Sequence, residues 1–158
     1  MINYNTYEQK YDGLPTTPYD WQIEACNKLF EVKKLLVVAP PGAGKTFLGY
    51  MLWQELIRKN ENDYGVLVIV PTTALKEQWL EYGLETELIH NAYSVPRKVS
   101  LLILDETHHY ESPIWSQIYD VIEADYILGL SATPGLSKQR YNCIYTVPWE
   151  SVDLPNIT

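Results

Sequence analysis

The segment Ala39-Pro40-Pro41-Gly42-Ala43-Gly44-Lys45-Thr46 has residue types and spacing that suit the binding of phosphates. Two glycines let a backbone curl until successive N–H groups converge on one anion. A helix opening at Lys45-Thr46 would add the partial positive charge of its N-terminus. In such a loop Pro41, Gly42, Ala43, Gly44, Lys45 and Thr46 wrap a nucleoside triphosphate. Lys45 reaches the β- and γ-phosphates, and Thr46 offers its hydroxyl to Mg²⁺. The general pattern has glycine where Ala39 stands, a mild departure because two glycines already serve the tight part of the turn. A plain glycine turn followed by a chance Lys-Thr is the alternative. The apolar run before it and the helical pattern after it argue for the phosphate loop.

A second chemical feature is the apolar run Leu101-Leu102-Ile103-Leu104, which leads directly into Asp105-Glu106-Thr107-His108-His109. Transfer of a phosphoryl group to water needs a metal to spread charge and a group to orient the water. Asp105 could hold Mg²⁺ through a water and Glu106 could polarise the attacking water, so the candidate catalytic set is Lys45, Asp105 and Glu106. Taken alone, the pair reads as capping acids at a strand–helix junction; the loop upstream tips the balance. His108 and His109 are not expected to form a metal site, because adjacent side chains diverge and no third His or Cys stands nearby. Ser131-Ala132-Thr133-Pro134 closes a later apolar run. Its small hydroxyl residues could hydrogen-bond the acidic motif, although by itself it is a turn.

These residues need elements that bring them to one place. Short, continuous, β-branched-rich runs at 35–39, 66–70, 101–104 and 126–130 are expected to be strands covered on both faces, with weaker candidates at 86–89 and 143–147. Helical spacing links Ile23, Cys26, Leu29 and Phe30 behind a capping Asp20, and again Leu48, Met51, Leu52 and Leu56. Residues 74–80 and 114–122 complete the set. The alternation predicts an α/β domain with a mainly parallel sheet and helices on both faces. Ligands in such sheets bind beyond the carboxyl ends of the strands, where each motif above falls.

Length and composition set the bounds. The 158 residues suffice for one domain, and 46% hydrophobic with 20% charged residues is ordinary globular material. Two separated cysteines, Cys26 and Cys143, argue against a disulfide scaffold or a thiolate zinc site and for a reducing compartment. No run is long and apolar enough to span a membrane, and residues 1–10 lack a signal-peptide layout, so a cytoplasmic protein with no membrane partner is expected. Twelve basic against twenty acidic residues give a formal charge of −8, which excludes binding of nucleic acid mainly through a diffuse basic surface. Backbone N–H groups and a few local contacts could still hold such a partner.

Together these motifs resemble the first RecA-like lobe of superfamily 2 helicases and translocases, a P-loop NTPase fold. Residues 39–46 are similar to motif I, Pro71-Thr72-Thr73-Ala74-Leu75 to motif Ia, Asp105-Glu106-Thr107-His108 to a DExH motif II, and Ser131-Ala132-Thr133 to motif III. Tyr19-Asp20-Trp21-Gln22 resembles the upstream glutamine motif. The resemblance runs from about Pro18 to about Pro134, and the doubled histidine resembles the DNA-directed branch of repair helicases and restriction-enzyme motor subunits. It implies a lead-in at 1–17 and an ATP-binding domain at 18–158. It also implies ATP and Mg²⁺ as cofactors, with Gln22 on adenine and Thr46 and Asp105 on the metal. His108, Ser131 and Thr133 would couple the two sites, and Thr72 and Thr73 would face nucleic-acid phosphates. The partner would be DNA in preference to RNA. His90-Asn91-Ala92-Tyr93-Ser94 departs from the Thr-Tyr-x-Ser-like contact motif, with alanine in place of its threonine. The span from Trp79 to Leu101 is short for the family. The second lobe, with motifs V and VI and the arginine fingers, is not among these residues, so it would come in cis or in trans. The expected function is the ATP-binding lobe of a DNA-directed helicase or translocase, almost inactive as an ATPase alone. A stand-alone regulatory nucleotide-binding module and an RNA-directed helicase are the alternatives.

Overall fold

The structure is a computed structural model that describes residues 17–92, 97–133, 135 and 139–147. Nearly all of the lead-in, Tyr93 and Ser94 of the contact-like motif, Pro134 and the stretch after Val147 lie outside the described residues. Six parallel strands form one sheet, β1 (Lys34–Val38), β2 (Val66–Val70), β3 (Thr86–Leu88), β4 (Arg97–Asp105), β5 (Ile122–Ser131) and β6 (Cys143–Thr146). Their spatial order is β3-β2-β4-β5-β1-β6, and every pairing is parallel.

The continuous apolar runs arise because each strand is buried from both sides. Leu35 and Val37, Val68 and Val70, and Leu101 and Ile103 point into one core. Leu67 and Ile69 with Leu102 and Leu104 point into the other. This is the two-residue alternation of a pleated strand with an apolar layer on each face. The first core is covered by helices α1 (Asp20–Val32), α2 (Lys45–Arg58) and α3 (Thr73–Glu81). The second is covered by shorter pieces, including α4 (Ile89–Ala92), a 3-10 turn at Thr107–Tyr110 and α5 (Ile118–Val121). Among the described residues no helix is long and apolar enough to cross a membrane.

Three expectations need correction. The helix expected over 114–122 is a 3-10 turn at Trp115–Gln117 followed by the single turn of α5. Ile122 is already extended and pairs with Arg97, because the β-branched residues here continue into β5 rather than closing a helix. Strand β4 begins at Arg97 rather than Leu101, since its first two residues, Arg97 and Lys98, are exposed and carry no apolar signal. The N-cap of α1 is Tyr19 rather than Asp20, which becomes the first helical residue.

Tyr110 ties the acidic-motif turn to the sheet. Its buried hydroxyl donates to the carbonyl of Ile69 at 2.8 Å. Tyr110→Phe should lower unfolding free energy by about 1 kcal/mol, the usual net value of one such bond. Urea denaturation checks this; an unchanged midpoint would show that the bond contributes nothing.

Candidate functional site

The register of the sheet assembles the site. Val38 of β1 pairs with Ser131 of β5, and Leu130 of β5 pairs with Asp105 of β4. Three neighbouring strands therefore end together, with the loop after β1 and the acids after β4 about 10 Å apart across two strand spacings. Ala39 N–H donates to the Ser131 carbonyl at 3.0 Å and fixes where the loop leaves the sheet.

Gly44 is the N-cap of α2, with φ 102°. A side chain there would be strained, and its Cβ would stand 2.6 Å from Gln22 Nε2. Without a side chain, Gly44 cannot cap the helix, so the N–H groups of Lys45 and Thr46 in the first turn are presented outward. The Lys45 ammonium donates to the Ala39 carbonyl at 3.0 Å, which leaves two further protons for an anion. Burial lowers the pKa of this ammonium, while Asp105 and Glu106 oppose the shift. The loop faces a cavity of about 670 Å³, whose walls include Gln22, Gly42, Lys45, Thr46, Asp105 and Glu106. Pro41 also lines this cavity, while Ala43 is buried beneath the loop.

Asp105 is the last residue of β4 and is 7% exposed. Burial raises the pKa of its carboxyl, against the pull of a hydrogen bond from Trp79 and of the Lys45 ammonium. Trp79 Nε1–H donates to Asp105 Oδ2 at 2.9 Å. Glu106 adopts a left-handed conformation, φ 55° and ψ 63°, uncommon outside glycine. That turn takes the chain from the strand into the 3-10 turn of the two histidines, and Glu106 Oε2 lies 3.5 Å from His109 Nε2.

The histidines do not diverge as expected. Their ring centroids are 4.2 Å apart. One ligand atom from each of Glu106, His108 and His109 falls within 4.8 Å of the others, a set able to approach a metal at the cavity mouth. In a 3-10 turn residues three apart eclipse, which sets Glu106 beside His109, and the argument from adjacency did not allow for the two rings leaning toward each other.

Other candidates are engaged locally. Gln22 is 2% exposed. Its amide oxygen accepts from Tyr19 N–H at 2.8 Å and its amide nitrogen donates to the Gly44 carbonyl at 2.9 Å. Gln22 therefore braces the phosphate loop, with one N–H left for other use. The Ser131 hydroxyl donates to the Thr133 carbonyl and accepts from Thr133 N–H at 3.1 Å, a turn closed on itself rather than a contact with the acids. Thr72 caps α3, its hydroxyl accepting from Leu75 N–H at 3.3 Å, and Thr72 and Thr73 are exposed. Gln22, the loop, Asp105, Glu106 and His108 thus share one cavity, whereas Thr72, Thr73, Ser131 and Thr133 are not among the residues lining it. Sequence reasoning missed two residues. Tyr19 is part of the cavity wall, and Trp79 grips Asp105 from below. A tryptophan one residue after Gln78 on the inward face of α3 was the available signal.

Comparison with known proteins bears on the same segments. Residues 16–86 and 83–136 match the family model described as type III restriction enzyme, res subunit. The chain is 29% identical over 139 residues to the DNA 3'-5' translocase XPB2 of Sulfurisphaera tokodaii, covering 73% of this chain and 30% of that protein. It is 30% identical over 125 residues to the putative ATP-dependent RNA helicase QP509L of African swine fever virus, covering 59% and 23%. It therefore spans less than a third of the length of these relatives. In fold it is similar to the UvsW helicase of bacteriophage T4, with a TM-score of 0.69 at 16% identity, covering 91% of this chain and 65% of that one. It is also similar to the SWI2/SNF2 ATPase core of Sulfolobus solfataricus in complex with dsDNA, with a TM-score of 0.62 at 14% identity, covering 85% and 34%.

Proposed function

The chain belongs to the type III restriction enzyme res subunit family and forms a superfamily 2 helicase-like RecA lobe; from that premise we propose that it is the ATP-binding half of a motor that moves on DNA. The observation that carries the reading is the convergence of the phosphate loop and the acidic pair on one cavity at the carboxyl edge of the sheet. The residues fit ATP–Mg²⁺. The start of α2 has no side-chain cap, the Lys45 ammonium has protons to spare, and Thr46 and Asp105 offer two hard oxygen donors to the same cavity. When bound, Mg²⁺ would spread the charge of the transferring phosphoryl group.

In this reading the N–H groups of Gly42 and of residues 44–46 hold phosphate oxygens, while the Ala43 N–H closes the loop on the Pro40 carbonyl at 3.2 Å, and Lys45 neutralises the phosphate charge. Asp105 holds the metal side of the site. Glu106 orients a water in line with the terminal phosphate, its backbone turned so that the carboxylate enters the cavity mouth. Gln22 keeps the loop curled and has one N–H free for the adenine edge. Coupling to the nucleic-acid site is assigned to His108, which lines this cavity, and to Ser131 and Thr133, which form the turn at the end of β5. Thr72 and Thr73 meet phosphates with hydroxyl and N–H groups at the start of α3. DNA is favoured over RNA by the doubled histidine, while the relatives include both a DNA translocase and a putative RNA helicase, each matched over 73% of this chain.

The charge of −8 makes a quantitative demand. With only one or two phosphates neutralised, the logarithm of affinity for a single strand should fall with a slope of about −1 against the logarithm of salt. Fluorescence anisotropy with labelled DNA and RNA strands across a salt series measures it. A shallow slope with tighter DNA binding is expected. A steep slope would replace Thr72 and Thr73 with a basic patch as the contact, and tighter RNA binding would reverse the assignment of partner.

A further inference from the structure

Three observations meet at Trp79, and none belongs to the motifs that carry the chemistry. Its side chain is fully buried. Its indole N–H ends on the carboxylate proposed to hold the metal, at 2.9 Å from Asp105 Oδ2. Its six-membered ring fills the space over Gly49, one turn beyond Lys45 on α2. A Cβ at Gly49 would come within 2.5 Å of Trp79 Cζ3, 2.6 Å of Cη2 and 3.1 Å of Ile103 Cδ1. One ring system thus touches the helix that carries the phosphate lysine and holds the metal carboxylate. It grows from the helix that Thr72 caps.

We infer that Trp79 is a positioning residue for the metal site, fixing the rotamer of Asp105 from α3 while its ring sets the distance between α3 and α2. A buried carboxylate with two equivalent oxygens can swing about its last torsion. A donor on one oxygen stops that rotation, and here the Trp79 N–H on Oδ2 acts together with a backbone N–H from Glu106 that also reaches the carboxylate. Because the donor rides on α3, a movement of its Thr72–Thr73 end would be felt first at the metal carboxylate. The inference rests on the nucleotide-site reading above, and Trp79 itself touches no reacting atom.

The test separates positioning from packing. Trp79→Phe removes the N–H and the outer ring atoms. Gly49→Ala keeps the N–H but pushes the ring aside. In the double variant the new methyl enters the space that the outer ring has left. ADP binding to the intact chain is measured by calorimetry in EDTA and across a Mg²⁺ series, with thermal melting alongside. Each single variant should need about 10–100-fold more Mg²⁺ for half-maximal enhancement, the usual cost of losing a group that orients a metal ligand, while binding in EDTA is little changed. The double variant should regain melting temperature relative to either single one and still require the higher Mg²⁺. A parent-like Mg²⁺ requirement in a folded Trp79→Phe chain overturns the inference. So does a double variant that restores stability and Mg²⁺ requirement together, because packing alone then explains Trp79. A parent chain whose ADP binding ignores Mg²⁺ overturns the nucleotide-site reading itself, a result visible before any variant is made.

Discussion

In a steady-state assay the 158-residue chain alone is expected to hydrolyse ATP about 10³–10⁵ times more slowly than the same chain completed by an arginine donor. The reason is where its arginines lie. The sequence has three, Arg58, Arg97 and Arg140. Arg97 opens β4 while Asp105 closes it, eight residues and roughly 26 Å away along the strand. Arg58 ends α2 while Lys45 begins it, roughly 20 Å along the helix. Arg140 comes just before β6, whose first residue pairs with Leu35 near the start of β1, again at the far edge of the sheet. Each is also paired where it stands, Arg58 with Glu55 at 2.9 Å, Arg97 with Glu85 at 2.5 Å and Arg140 with Asp120 at 3.8 Å. None of these three arginines can meet the terminal phosphate without leaving its place. The loss acts on the transition state, so nucleotide binding should persist while turnover does not. Glu106→Gln should likewise keep binding and abolish turnover in the completed assembly. Assays across protein concentration, with and without DNA and an arginine-bearing second lobe, measure the difference. Brisk, concentration-independent turnover by the chain alone would contradict this account, and rates that climb with protein concentration would show an arginine supplied by a second copy.

The phosphate loop and the acidic pair were legible from the sequence because short-range chemistry dictates them. A curled glycine loop between strand and helix has few other uses, and a buried strand that ends in carboxylates must present them at its edge. The continuous apolar runs likewise announced strands covered on both faces. Tertiary context decided the rest. The β-branched residues of 114–122 fitted a helical spacing, but pairing with β4 drew Ile122 into the sheet. The start of β4 was hidden because Arg97 and Lys98 are exposed there. Gln22 carried a motif whose implied ligand is adenine, and its further role as a brace for the loop lies in a contact across 22 positions of sequence with a glycine cap. Trp79 offered only its place on the inward face of α3, since its meaning lies in a hydrogen bond across 26 positions of sequence.

The second large effect belongs to Lys45. Its ammonium is partly buried and already turned toward the loop, with Asp105 and Glu106 raising its pKa against the cost of burial. Removing it leaves the phosphate charge of a bound nucleotide without its main protein cation. Charge-assisted contacts of this kind are worth about 2–4 kcal/mol, or roughly 30- to 1,000-fold in affinity. The fold should survive, because Lys45 lies at a helix end and packs no core. The most direct measurement is therefore a calorimetric titration of ATP with Mg²⁺ into the parent chain and into Lys45→Ala, both first shown to melt alike. The account predicts saturable binding to the parent and none detectable, or binding weakened by that factor, in the variant; equal affinities would place the nucleotide elsewhere and contradict the site.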